Sequence, residues 1–89
     1  MNNIQKYQKK RDEMLMKCDP EALREFVKDN AERLDEHYVK AITSAPRSIL
    51  ELTLHKMIVN VKSLPKERRN ESAKWLMDRG YSGEIWQKI

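Results

Sequence analysis

His37, His55, Cys18 and a run of acids between Asp19 and Glu36 are the residues of this chain whose types could do chemistry. A histidine could serve as a general base, and a cysteine beside one could serve as a nucleophile. The two histidines stand eighteen residues apart, outside the i, i+4 spacing that puts two imidazoles on one helical face around a metal. His37 falls at the edge of an apolar stripe, and His55 falls one turn after Glu51 on a polar strip. They read as a partly buried imidazole and a surface charge pair. One cysteine allows neither a cysteine-based zinc site nor an internal disulfide, and Cys18 reads as a small buried hydrophobe. The acids Asp19, Glu21, Glu25, Asp29, Glu32, Asp35 and Glu36 are too numerous to mark a catalytic pair and read as a solvated face. Gly80 and Gly83 are the only glycines, and neither belongs to a phosphate-cradling pattern. The sequence predicts no catalytic residue, no metal ligand and no cofactor, and the chain is not expected to be an enzyme.

With that chemistry set aside, charge is the next signal. The 89 residues carry a net charge of +4 and a pI near 9.3, a mild excess that permits an acidic protein or a nucleic acid as partner without demanding either. The first eighteen residues are basic, the stretch from 19 to 43 is acidic, and the remainder is mildly basic. Lys6, Lys10 and Lys17 fall on the back of the first predicted helix. Lys6, Lys9 and Lys10, with Lys66, Arg68 and Arg69, form the set from which a nucleic-acid surface would be built. No uncharged run exceeds six residues, so neither a membrane span nor the apolar segment of a signal peptide is expected, and a cytoplasmic setting is the default.

The elements that must position these groups are all helices. Glycine is absent before residue 80, and Pro20, Pro46 and Pro65 each stand where proline suits a first helical turn. A chain of this length supports one core, so residues 1–89 are expected to form a single helical domain, a compact bundle of about four helices with a short C-terminal helical turn. The first helix spans Asn3 to Lys17, with Ile4, Tyr7, Met14, Leu15 and Cys18 on one stripe. The second is expected to run unbroken from 20 to 43, because Leu23, Phe26, Val27, Ala31, Leu34, Tyr38, Ala41 and Ile42 keep one face; the alternative is a break at Asn30. The third, from Pro46 to about Lys62, is apolar on two sides: Leu50, Leu54, Met57, Ile58 and Val61 on one, Ile49, Leu52 and Val59 on the other. The fourth starts at Ser63, a cap, and Pro65, and shares a face among Pro65, Ser72, Trp75 and Leu76. Gly80 ends it in a left-handed turn against which Tyr81 folds back, and Ser82 caps a final turn carrying Ile85, Trp86 and Ile89.

Over about twenty residues, "RRNESAKWLMDRGYSGEIWQKI" resembles the helical corners of RecX-type regulators, whose repeats carry an Arg-Gly-aromatic turn before a short helix. It is also similar to the glycine-aromatic loop of ubiquitin-associated domains. These likenesses cover a quarter of the chain and carry over no functional residue. A helix-turn-helix would place Leu76 and Gly80 at its small-residue and turn positions, but too few residues follow Gly80 for a helix along a major groove.

The expectation that follows is a small stand-alone regulator or inhibitor that binds another protein, of the sort phages and mobile elements encode. Ile49, Leu52 and Val59 would supply an apolar anchor, and Lys6, Lys10 and Lys17 would steer an acidic partner. The same second stripe of the third helix also permits a homodimer. The alternative is nucleic-acid binding through Lys6, Lys9, Lys10, Lys66, Arg68 and Arg69.

Overall fold

The computed structural model describes residues 2–81. Asn2 starts the chain's first helix with a reciprocal cap: its side chain accepts from the Gln5 amide at 2.8 Å, and the Gln5 side chain accepts from the Asn2 amide at 3.2 Å. Helix α1 spans Asn3–Lys17 and closes on Cys18, which adopts a left-handed conformation at φ 51°. Asp19 then caps α2, Pro20–Asp29, with Pro20 in its first turn as the sequence implies.

The unbroken helix expected from 20 to 43 does not form. Asn30 ends α2 by turning its side-chain amide onto the Phe26 carbonyl at 2.8 Å, and a single 3-10 turn, Ala31–Arg33, follows. Asp35 restarts the chain as α3, Glu36–Ser44, by accepting from the Tyr38 amide at 3.1 Å. A straight rod could not fold onto itself, whereas the break lets α2 and α3 pack against each other, burying Leu23 and Ile42 in one core. Arg24 locks this corner. Its guanidinium donates to the Thr43 carbonyl at 3.1 Å and the Ala45 carbonyl at 2.9 Å, and its Nε lies 3.2 Å from the Glu21 carboxylate. The C-terminal carbonyls of α3, which have no partner within their own helix, are satisfied from α2.

Helix α4, Arg47–Asn60, is the central element, packed against α5, α2 and α1. Its first apolar stripe is the middle of the core: Leu50, Leu54 and Ile58 are fully buried, with Leu15 of α1 and Leu23 and Val27 of α2 around them. Helix α5 spans Lys66–Asp78. Ser63 does not cap it. Its hydroxyl instead donates to the Asp12 carboxylate of α1 at 2.8 Å, and Pro65 takes the cap position with its ring exposed rather than on the buried face. Ser72 and Leu76 are buried as the stripe implies. At the end of α5, Gly80 takes φ 87°, its amide donates to Met77, and the Tyr81 amide donates to Leu76 at 3.0 Å, the paired hydrogen bonds of a left-handed helix stop. The expected turn from Ser82 to Ile89 lies outside the described residues. Among those described, the chain is wholly helical and turn, with no strand, and no helix is long and apolar enough to cross a membrane.

Candidate functional site

His55 is held between two helices in surroundings that shift its titration. It lies on α4 facing α5, where its Nδ1 shares a 2.9 Å hydrogen bond with the Ser72 hydroxyl and its ring stacks on Trp75 with centroids 4.1 Å apart. A surface pair with Glu51 was expected. Glu51 instead meets Arg47 at 3.4 Å, and His55 is half-buried. Burial pushes the imidazole below its ordinary value of 6.5. The Arg68 guanidinium adds to the depression, Glu51 opposes it, and Arg79 adds again. The Ser72 hydroxyl that meets His55 is fully buried. The arrangement ties α4 to α5. His37, by contrast, is exposed, and Cys18 is packed against the core. Among the described residues no three His, Cys, Asp or Glu side chains gather where a metal ion could be held.

The His55 environment has a measurable consequence. Because the folded pKa is lowered, the unfolded chain binds the proton more readily, so stability is complete above about pH 6.5 and is lost as pH falls toward the folded pKa. Urea midpoints taken between pH 7.5 and pH 5 should fall more steeply for the native protein than for His55→Gln, which can still bond Ser72 but cannot titrate. Parallel slopes would show that the imidazole is not held neutral.

Trp75 also borders a surface groove that holds a second aromatic ring, Tyr81. Ile49 and Leu52 of α4 meet Trp75, Arg79 and Tyr81 around a shallow groove of about 330 Å³. The Arg79 guanidinium carbon sits 3.8 Å from the Trp75 ring centroid, one turn along α5, and its Nη1 donates to the Trp75 carbonyl at 3.3 Å. Ile49 is 47% exposed, and Leu52 is half-buried. Of the three residues expected to form the apolar anchor, the structure brings Ile49 and Leu52 together. Val59, about 15 Å along the helix from Ile49 at 1.5 Å per residue, does not line the groove.

The α1 lysines divide between two environments. Lys10 and Lys17 line a groove between α1 and α2 that also holds Glu13, Asp19, Glu21, Glu25 and Asp29, so Lys17 stands in a predominantly acidic field. Lys6 and Lys10 share a second hollow with Arg33, whose position depends on the break after Asn30. Lys9 is exposed on the same helix. In the second basic segment Lys66 is exposed, Arg68 is paired with Glu71, and Arg69 is half-buried with its Nε lacking a hydrogen-bond partner among the described residues. Between the two segments, the Ser63 hydroxyl just before α5 donates to the Asp12 carboxylate of α1.

No protein-family model, curated protein or solved structure matches this chain. Sequence reasoning missed Arg79 and Arg33 as members of the surface hollows. The four-residue spacing from Trp75 to Arg79 was a readable signal, since it places a guanidinium over an aromatic face. No comparable signal marked Arg33 while helix 20–43 was taken as continuous.

Proposed function

We propose that this chain is a small regulatory or inhibitory protein that acts by binding another protein through the α4–α5 face. The supporting observation is the cluster of Ile49, Leu52, Trp75, Arg79 and Tyr81 around one groove. Tryptophan, tyrosine and arginine are the side chains that most often dominate binding energy at protein interfaces, and a partly exposed β-branched residue beside them offers an anchor that a partner can desolvate. Helix α4 is held from behind by the core, so the face is presented on a rigid element and binding costs little ordering.

The test is affinity capture from extracts of cells that carry the protein, treated with nuclease and washed at low and then high salt, with native chain and Ile49→Asp as paired baits. The expected result is a defined protein retained by the native chain and reduced about tenfold or more on Ile49→Asp, because a carboxylate in a desolvated contact removes hot-spot energy. Retention that disappears with nuclease would instead support nucleic-acid binding by Lys6, Lys9, Lys10, Lys66, Arg68 and Arg69. Such binding would also fall steeply with salt as counterions return to the phosphates.

A further inference from the structure

We infer that the corner between α1 and the 3-10 turn is a second binding site, and that it takes a short acidic segment of a partner protein carrying one bulky apolar side chain beside two or three carboxylates. The site consists of two adjoining hollows. Ile4, Tyr7 and Leu34 form the apolar one, of about 220 Å³, together with Arg33; Lys6 and Lys10 form the basic one together with Tyr7 and Arg33. Tyr7 and Arg33 belong to both, so a single ligand chain can fill the pair.

Three observations carry this assignment. Ile4 is 65% exposed although it begins the apolar stripe of α1, so the stripe continues past the core onto the surface. Tyr7 is half-buried and packs on Phe26 with ring centroids 5.4 Å apart, which makes the floor of the hollow rigid. Lys6, Lys10 and Arg33 make no ion pair among the described residues, a state they share with most of the described cations, and they are set apart by converging on one hollow beside Tyr7. Lys6 and Lys10 are one turn apart on the same face, a spacing of about 6 Å that neighbouring carboxylates on a partner can match.

The surroundings decide between an acidic peptide and a nucleic acid. Lys10 and Asn30 also line the neighbouring groove, where Glu25 and Asp29 stand, so a polyanion leaving the basic hollow on that side meets carboxylates. On the other side Arg33 is the one charged group of a hollow otherwise lined by Ile4, Tyr7 and Leu34, which suits an apolar side chain better than a run of phosphates. A ligand with a few charges and an adjoining apolar anchor satisfies both halves, and charge there favours rapid encounter and orientation. The inference rests on the reading of this chain as a protein-binding module, but it concerns a different surface from the α4–α5 groove.

The experiment is a selection of displayed random dodecapeptides on the purified chain at physiological salt, followed by anisotropy titration of the recovered peptides. The expected outcome is enrichment of Asp and Glu next to Leu, Ile, Phe or Trp. Binding should weaken about tenfold or more on Lys6→Glu/Arg33→Glu and again on Ile4→Ser, all exposed changes that leave the core intact. It should be unchanged by Ile49→Asp, which separates this site from the α4–α5 face. Peptides without acidic enrichment, or acidic peptides that bind the Lys6→Glu/Arg33→Glu protein equally well, would overturn the assignment. So would tighter, Lys6-dependent binding of a single-stranded oligonucleotide, or a concentration-dependent dimer abolished by Ile4→Ser.

Discussion

Replacing Leu54 with alanine should lower the unfolding free energy by about 3 kcal/mol, because the lost methyl groups leave a cavity that the central helix cannot collapse to fill. Leu54 is fully buried on α4, the helix that touches α1, α2 and α5, so no neighbouring element can close the void without disturbing another contact. In a domain of this size each kcal/mol moves the thermal midpoint by about 4–8 °C, so the change should be plain in a melting curve. Ile49→Ala, on the opposite stripe of the same helix, should change stability by less than about 1 kcal/mol, since Ile49 is 47% exposed. Comparable losses for the two variants would mean that both stripes are core and that the α4–α5 face is not a free surface.

Arg24→Ala should cost about 2 kcal/mol, an effect expected of few charged residues in a small protein. The guanidinium joins α2 to the end of α3 by two charge-assisted hydrogen bonds, and its removal leaves the Thr43 and Ala45 carbonyls with one fewer donor in a partly buried corner. Lysine at this position should recover only part of the loss, because a single ammonium cannot reproduce the fork that reaches both carbonyls. Urea unfolding at constant slope measures both variants. A change within about 0.5 kcal/mol for Arg24→Ala would show that water serves those carbonyls equally well.

Both residues also show where sequence reasoning succeeds and where it stops. Leu54 was legible, since Leu50, Leu54, Ile58 and Val61 recur at helical spacing on one face, the pattern of a core-facing stripe. The start of α2 at Asp19-Pro20 and the stop of α5 at Gly80 were legible for the same local reason, because caps and left-handed turns demand particular residue types. Arg24 was not, since its partners lie nineteen and twenty-one residues away, beyond the reach of any local spacing pattern. The break at Asn30 was only half-legible. Apolar periodicity persists through residues 20–43 whether the chain is straight or folded back, and Asn30 and Asp35 reveal themselves as stop and start only once α2 and α3 are seen to pack together.

The candidate surfaces divide similarly. Ile49 and Leu52 could be read from the two-sided pattern of α4, but their aromatic companions could not, because the rotation of α5 about α4 is set by tertiary packing rather than by either helix alone. Val59 belongs to the same stripe and was expected to join them, yet the groove closes around Trp75 and Tyr81 at the other end of the helix. Lys17 shares the basic back of α1 with Lys10, and only the placement of α2 shows that it looks onto carboxylates.

A photo-crosslinking residue placed at position 49 in living cells would report whether the α4–α5 face contacts a protein partner. Met16, 48% exposed on α1, provides a control of equal exposure away from the groove. The expected result is a discrete protein adduct from position 49 that is absent from position 16 and is lost when Arg79→Glu is added. Adducts of equal yield from both positions, or a discrete adduct from position 16 alone, would contradict it.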